Sequence, residues 1–309
     1  MNSIASRCDA ILSLARSIGA CAAGFAAAGP LTASELAVFE RWIADGRHAG
    51  MDYMEKYADL RADPRLLLDG ACSVLCMAFP YGPAERRHPL FSDYALGDDY
   101  HTVLRSALEP VAAAMKASAP GSDTRICIDT APIRERVWAV RAGIGFIGLN
   151  NLLIVPGAGS KVFLAEILWT ADARPSSEPA RTTCEGCGAC VKACPGRALD
   201  GCGGLDARRC LSYLTIEHRG EFPEGLSLAG RRIYGCDVCQ DVCPHNSGLK
   251  NAILPSFAPS DELMALTLDE AADISDEDFR RIFRRSAVKR TKAAGLRRNA
   301  ASAKPGKIV

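Results

Sequence analysis

The first 120 residues alternate between segments with apolar side chains at the helical period and one short, continuously apolar run. The helical period over 3–18, over 34–45 and over 101–115 predicts three helices, each with one buried face. The apolar run at 71–79 is bounded by an Asp-Gly pair and by a proline, so it predicts a buried strand.

Further strands are predicted in the next 50 residues. An apolar stretch at 125–128 predicts a strand, and a proline within the first turn predicts a helix over 132–141. The segments 151–155 and 161–169 predict a strand pair around the Pro-Gly-Ala-Gly turn between them. Because these strands mix irregularly with helices, the pattern favours an α+β fold.

Eight of the 14 cysteines form two runs after residue 183. The first run has x2, x2 and x3 spacing and ends in Cys-Pro, which is the ligand spacing of a cubane iron-sulfur cluster; the second run has its first ligand displaced to Cys210. In two-cluster modules the last cysteine of each run crosses to the other cluster. The spacing therefore assigns one cluster to Cys184, Cys187, Cys190 and Cys243, and the other to Cys210, Cys236, Cys239 and Cys194. Zinc and disulfides are the alternatives, but zinc sites usually pair two close cysteines with two distant ones.

The Pro- and Ser-containing segment 171–183 has the composition of a linker into this module. We therefore predict an N-terminal domain over 1–175, a ferredoxin-like domain over 176–250 and a basic C-terminal segment over 251–309. Within the last segment, 261–272 predicts a helix.

Composition and charge exclude several classes of protein. The 48% hydrophobic and 24% charged residues are ordinary for a globular chain, and 37 basic against 36 acidic residues do not indicate a nucleic-acid or membrane-surface protein as a whole. One local exception is 280–298, whose nine basic residues include Lys289, Arg290 and Lys292 and which contains no acidic residue. Such a run is either a solvated helix face or a phosphate contact.

The sequence also bears on location. No apolar stretch reaches the roughly 20 residues of a bilayer span, so no membrane contact is expected. No signal segment or twin-arginine pair precedes the first predicted helix. Together with thiolate-ligated clusters, this predicts the reducing cytoplasm.

The glycine-rich segment 143–148 matches a dinucleotide fingerprint, but that motif requires a strand before it and a helix after it. Here the predicted order is reversed, so the glycines instead indicate a close backbone approach. Iron-sulfur clusters alone would make an electron carrier. The large domain ahead of them predicts a second redox centre or a bound substrate.

Six segments together resemble the epoxyqueuosine reductases, cobalamin-dependent iron-sulfur enzymes that complete the queuosine modification in the tRNA anticodon. They are R-x-D-P at 61–64, Y-x2-G-x-D-Y-H at 94–101, D-T-A-P-x2-E-R at 129–136, R-A-G-x-G-x2-G at 141–148, L-D-A-R-R-C-x-S-Y-L-T-I-E at 205–217 and R-I-Y-G-C-D-x-C-Q at 232–240. The segment 205–217 is the most specific, because ordinary ferredoxins carry nothing like it between their cysteines.

The resemblance implies a nitroreductase-like cobalamin-binding domain, two 4Fe-4S clusters and reduction of an epoxide on a cyclopentane ring to the alkene with loss of water. It implies that Asp129 is the acid that protonates the departing oxygen, which requires burial to raise its pKa. It further places Asp99 and His101 near the substrate. Residues expected to contact cobalamin are Tyr100, Arg141, Gly143, Gly145, Gly148 and Ser212.

The chain departs from the family pattern at Phe146, Leu149, Lys161, Ala165 and His245, which puts details of cofactor contact in question. It also lacks the helical-repeat extension of longer members, so tRNA contact is expected from Lys289, Arg290 and Lys292. The expected partners are a tRNA that bears epoxyqueuosine and a low-potential donor such as a flavodoxin or ferredoxin; the oligomeric state is left open.

Three alternatives compete with this interpretation. A reductive dehalogenase shares the cobalamin and two-cluster layout but normally carries a twin-arginine signal. A pure iron-sulfur electron-transfer protein would hold no corrinoid. A tRNA-binding module without catalysis would not need Asp129 and the full set of cluster cysteines.

Overall fold

A four-stranded antiparallel sheet lies at the centre of the N-terminal half in the computed structural model, which describes residues 3–82, 86–175, 183–224, 226, 228 and 230–304. Its strands are β1 (Ala22–Ala27), β2 (Ser73–Pro80), β3 (Thr124–Cys127) and β6 (Val162–Trp169), in the order β1-β2-β6-β3. A separate two-stranded sheet pairs β4 (Phe146–Ile147) with β5 (Leu153–Ile154).

Helices cover both faces of the sheet. The α-helices are α1 (Ile4–Ser17), α2 (Ala33–Ala44), α3 (Tyr53–Lys56), α4 (Ala58–Ala62), α5 (Tyr100–Ser118), α6 (Glu135–Arg141), α7 (Ala189–Ala193), α8 (Leu211–Ile216), α9 (Val238–Asp241), α10 (Asp261–Ala265), α11 (Leu268–Ala272), α12 (Asp276–Ile282) and α13 (Lys292–Ala303). The helices α1 and α5 bury Ile11 and Leu104 against one face, and α6 buries Trp138 against the other. Since both faces are covered, every residue of β2 is buried, which explains its unbroken apolar sequence.

A third core lies outside the sheet. Phe279, Phe283, Val288 and Leu296 of the C-terminal segment pack with Leu214 of α8 and with residues that precede α5. The predicted basic segment is therefore a folded element with a buried face, rather than an extended tail.

Most predicted elements are present, with four differences. The predicted pairing of 151–155 with 161–169 is wrong, because β5 pairs with β4 and β6 lies between β2 and β3. The predicted helix 261–272 is two helices, because Thr267 caps α11 through a reciprocal pair of hydrogen bonds with Glu270. The helix predicted over 132–141 begins at Glu135, so Pro132 precedes it rather than lying in its first turn. The strands β1 and β4 and the helices α3, α4, α7, α8, α9, α12 and α13 were not predicted.

Part of the linker predicted at 171–183, and with it the boundary between 175 and 176, lies outside the described residues. The three domain boundaries therefore stay predictions. Across the described ranges, no helix is both long and apolar enough to cross a membrane.

Candidate active site and cluster-binding cysteines

Asp129 lies in the turn between β3 and α6. Its backbone is left-handed, with φ 48°, a conformation that a non-glycine residue adopts only when its surroundings hold it there. Its amide donates a 2.8 Å hydrogen bond to the carboxylate of Glu135, the first residue of α6. The Asp129 side chain is 53% exposed, so this turn presents a carboxylate to an open face of the protein.

His101 connects Asp129 to a second aspartate. Its Nε2 lies 3.0 Å from Asp129 Oδ2, and its Nδ1 lies 2.8 Å from Asp99 Oδ1. Asp99 caps α5 by accepting from the His101 amide, which fixes the imidazole at the start of that helix. The His101 ring stacks on Tyr100, and Tyr100 stacks on Phe163 of β6. The structure thus brings the three predicted catalytic residues into one hydrogen-bonded chain.

The protonation states of Asp129 and His101 differ from the expectation that Asp129 itself holds the proton. The protein atoms packed around the Asp129 carboxylate oppose its ionisation although the side chain is 53% exposed, but hydrogen bonds from His101 and Tyr100 and the charge of His101 outweigh this effect, so the Asp129 pKa is lowered. The expectation that burial raises the Asp129 pKa is therefore wrong for this arrangement. Burial works against a charged imidazole, yet hydrogen bonds to Asp129 and Asp99 raise the His101 pKa to about 9. The exchangeable proton at neutral pH accordingly lies on His101.

Glu135 is a second proton carrier in the turn. Burial and the charge of Asp129 raise the Glu135 pKa to about 8. Its role in holding the Asp129 amide could be found in the sequence only through the D-T-A-P-x2-E-R motif, in which it is six residues from Asp129.

The cluster cysteines lie in two neighbouring sets of four. Burial raises the pKa of the Cys190 thiol, and the adjacent Cys243 and Cys184 thiols raise it further; Cys187 and Cys184 do the same for Cys243. Burial also raises the pKa of the Cys239 thiol. The neighbouring thiols of Cys236, Cys210 and Cys194 raise it further, and that of Cys190 does so to a smaller extent. These are the two sets that the spacing assigns to separate clusters, and Cys239 and Cys190 lie where the sets approach each other.

A cavity of about 260 Å³ opens beside the first set. Leu149 and Asn150 line it together with the four cysteines of that set, and Asn150 Nδ2 is buried without a hydrogen-bond partner in the described part of the chain. Thiolates and cluster sulfides accept such donors, so the donor set fits a cluster at this position. The departures Phe146 and His245 contact each other here, with ring centroids 5.3 Å apart.

The expected cobalamin contacts separate into two groups. Tyr100 lies in the Asp129 site, where its pKa is raised by burial and by the Asp129 charge. Ser212 lies beside a cluster ligand, since its amide donates to the Cys210 thiol.

The remaining expected contacts have partners within the fold. Arg141 pairs with Glu35 at 2.5 Å and stacks on Trp138. Gly145 lets the backbone pass the Ile154 carbonyl oxygen, which would be 2.5 Å from an added Cβ, while Gly143 has φ 72°. The close backbone approach predicted for the glycine-rich segment is therefore, at Gly145, an approach to strand β5.

The three predicted tRNA contacts differ in their surroundings. Lys289 Nζ lies 2.6 Å from Asp99 Oδ2. Arg290 makes two hydrogen bonds to Glu217, at 2.9 and 2.7 Å, and lies over the Tyr53 ring. Lys292 is exposed and has no ion pair within the described residues.

A buried ionic network between the sheet and the cluster-binding region was not predicted. Its members are three cations and three carboxylates, namely Arg87, Lys161, Arg232, Asp93, Asp237 and Asp241. Lys161 Nζ lies 2.6 Å from Asp93 and 2.8 Å from Asp241, and its side chain is 3% exposed. One feature of the sequence indicates this network, namely the charged residue Lys161 at a position that departs from the family pattern.

Comparisons with known proteins agree with this arrangement. Residues 61–130 match the family model "Epoxyqueuosine reductase QueG, DUF1730", and residues 183–246 match "4Fe-4S double cluster binding domain". The epoxyqueuosine reductase of Gloeobacter violaceus is 40% identical over 95% of this chain and 94% of its own length.

Solved structures are also similar. An epoxyqueuosine reductase crystallised with a tRNA-Tyr epoxyqueuosine-modified stem loop has a TM-score of 0.87 and 31% identity, covering 96% of this chain and 80% of its own. The Bacillus subtilis enzyme, with its catalytic aspartate loop swung out of the active site, has a TM-score of 0.86 and 31% identity over the same shares.

Proposed function

This chain belongs to the epoxyqueuosine reductase family, and we propose that it reduces epoxyqueuosine to queuosine at the wobble position of tRNA, the last step of queuosine biosynthesis. The reaction breaks the two epoxide C–O bonds, consumes two electrons and two protons, and yields an alkene and water. The observation that carries the proposal is the chain Asp99–His101–Asp129, because it places an acid with a reserve proton on an open face.

The cofactors of the family are cobalamin and two 4Fe-4S clusters. When bound, they supply the two electrons. We assign one cluster to Cys184, Cys187, Cys190 and Cys243 and the other to Cys194, Cys210, Cys236 and Cys239. Tyr100 is the predicted cobalamin contact best supported by its position, since it lies beside both His101 and Asp129.

The pKa values of His101 and Asp129 indicate the source of the proton that reaches the epoxide oxygen. His101, with a pKa of about 9, carries a proton at neutral pH, 3.0 Å from Asp129 Oδ2. A substrate that covers the half-exposed Asp129 removes water from it and favours its neutral form. Transfer from His101 Nε2 to Asp129 Oδ2 then neutralises both groups, and the carboxylic acid protonates the epoxide oxygen. Asp99 holds the imidazole in orientation throughout.

The substrate partner is a tRNA that bears epoxyqueuosine, by similarity to the family member crystallised with such a stem loop. We assign phosphate contact to Lys292 and, more weakly, to Arg290, which already pairs with Glu217. A flavodoxin or ferredoxin is the proposed electron donor, and the cytoplasm the proposed location. The family assignment favours this reaction over dehalogenation or pure electron transfer.

The test is anaerobic reconstitution with iron, sulfide and cobalamin, followed by turnover of epoxyqueuosine-containing tRNA with a low-potential reductant. Mass spectrometry of the digested nucleosides should show the loss of one oxygen. Asp129→Asn should abolish alkene formation while retaining both cofactors. Asp123→Asn, at the opposite, exposed end of β3, is the matched control and should keep full activity.

Three results would contradict parts of this proposal. Turnover by Asp129→Asn close to that of the unchanged protein would remove Asp129 as the acid. Corrinoid binding without conversion of the nucleoside would overturn the substrate. Failure to bind any corrinoid would leave an electron carrier.

A further inference from the structure

Lys289 lies at the outer end of the hydrogen-bonded chain that leads to the acid. The links are Lys289 Nζ to Asp99 Oδ2 at 2.6 Å, Asp99 Oδ1 to His101 Nδ1 at 2.8 Å and His101 Nε2 to Asp129 Oδ2 at 3.0 Å. The two oxygens of Asp99 are thus divided between one cation and one imidazole. We propose that Lys289 is a positioning residue of the acid site, which holds Asp99 so that His101 points at Asp129.

The contact is not an ordinary surface ion pair. The Asp99 side chain is 7% exposed although that of Lys289 is 54% exposed, so the carboxylate is shielded from water and depends on its partners. Both backbones are also fixed. The Asp99 amide donates a 2.6 Å hydrogen bond to the Arg285 carbonyl, and Val288, next to Lys289, is fully buried.

The position of Lys289 is set by the third core rather than by solvent. Its 3-10 helix, Ala287–Thr291, buries Ala287, Val288 and Thr291, and the Tyr234 hydroxyl donates to the Ala287 carbonyl at 2.7 Å. The packed 3-10 helix of the C-terminal segment therefore holds the Lys289 ammonium group beside the active site. This gives the folded C-terminal segment a role in the proton chemistry in addition to any contact with RNA.

The electrostatic consequence has a definite sign. Lys289 neutralises part of the Asp99 charge and adds a like charge near the imidazole, and both effects oppose protonation of His101. Removing the ammonium group should therefore raise the His101 pKa above its value of about 9. The other charged or titratable groups around His101 are unchanged by this substitution. They are Asp99, Asp129, Glu135 and Tyr100, whose ring stacks on the imidazole, with Tyr53 and Arg290 farther out.

This inference rests on the proposed role of Asp129 as the acid, but its test does not require turnover or RNA. The holoprotein is prepared with 13C-labelled histidine, and the five histidine signals are titrated by NMR, with His101→Gln identifying the relevant one. Lys289→Met should increase the proton affinity of His101 by about threefold to tenfold. Lys289→Arg should restore it, because the guanidinium keeps the charge. Lys292→Met, which removes a nearby cation that has no such contact, should leave it unchanged.

A second measurement separates positioning from RNA binding. Lys289→Met should lower kcat and move the alkaline limb of the pH profile upward, with little change in the dissociation constant for the tRNA. An unshifted His101 titration in Lys289→Met would overturn the proposal. In that case a loss of RNA affinity would return Lys289 to phosphate contact. Failure of the nucleoside assay with a shifted His101 titration would instead count against the proposed substrate alone.

Discussion

Replacement of Lys161 by methionine should destabilise the protein by about 3 kcal/mol, at the lower end of the range for breaking a buried ion pair. The Lys161 side chain is 3% exposed and bridges Asp93, which is fully buried, and Asp241, which is 28% exposed. Without the ammonium group, the cations that remain near Asp93 among the described residues are Arg87 at 3.1 Å and Arg232 at 4.0 Å. Because Arg87 is 41% exposed, solvent screens part of the interaction, which is why the lower end of the range applies.

The cost should reside in the uncompensated charge rather than in lost packing. The double variant Lys161→Met with Asp93→Asn removes the cation together with its buried carboxylate, so it should recover about 2 kcal/mol of the loss. Methionine retains most of the apolar stem of lysine, which limits any effect of volume. The pair of variants therefore isolates the electrostatic contribution.

Anaerobic urea unfolding, followed by tryptophan fluorescence, measures both values. The chain has three tryptophans, of which Trp138 and Trp169 are fully buried in the cores beside the four-stranded sheet. Iron content before unfolding reports on cluster occupancy, because Cys239, a proposed cluster ligand, is on α9 with Asp241. A single variant less than 1 kcal/mol below the unchanged protein, or a double variant no more stable than the single, would refute the network as a structural link.

Other predictions follow from single sites. Both carboxylate oxygens of Glu166 are buried without a partner among the described residues, and burial raises the Glu166 pKa. Glu166→Met should therefore raise the unfolding midpoint. The gain should grow as pH rises above about 4.5, because ionisation of Glu166 costs the folded state more than the unfolded state. Turnover should fall as pH rises through about 9, where His101 loses its proton. An unchanged rate at pH 10 would exclude His101 as the source of the proton passed to Asp129. Cys243→Ser should lose the first cluster's EPR signal preferentially, although it lies in the second run; preferential loss of the second cluster would reverse the ligand assignment. Lys292→Gln should reduce the slope of log K against log salt for tRNA binding by about 0.7 to 0.9, measured by filter binding, and an unchanged slope would make it ordinary surface.

The sequence predicts best where chemistry is local. The cysteine spacing indicates the clusters because three ligands of the first cubane follow one another at intervals of three residues. The strand β2 is predictable because burial on both faces requires an unbroken apolar run. The strand β1, Ala22–Ala27, consists of alanine, glycine and one phenylalanine, which favour strands weakly. It forms because β2 offers it an edge, and pairing of that kind is decided by tertiary contacts.

The acid site illustrates the same limit. The resemblance identifies Asp129 and His101, yet burial alone suggested a raised Asp129 pKa. The lowered value arises because His101, 28 residues away, lies 3.0 Å from its carboxylate. A lone carboxylate would need burial to hold a proton, whereas this pair stores the proton on the imidazole and can keep the carboxylate half exposed to substrate.

The basic segment shows why charge counts do not locate an RNA contact. Most of its nine cations are already engaged within the chain. Carboxylates pair with Arg281, Arg285, Lys289, Arg290 and Arg297, and backbone carbonyls accept from Arg298. Arg280, Arg284 and Lys292 are the exposed cations of the segment with no ion pair in the part of the chain that the structure describes. Each phosphate contact contributes separately to the salt dependence, so we expect the unpaired cations, with Lys292 first among them, to contribute more to tRNA affinity than the paired ones. Arg285 and Lys289 pair with Asp98 and Asp99 beside the active site, whereas Arg281 and Arg297 pair within the C-terminal segment. Neutralising these charges should therefore alter proton transfer or folding before it alters RNA binding.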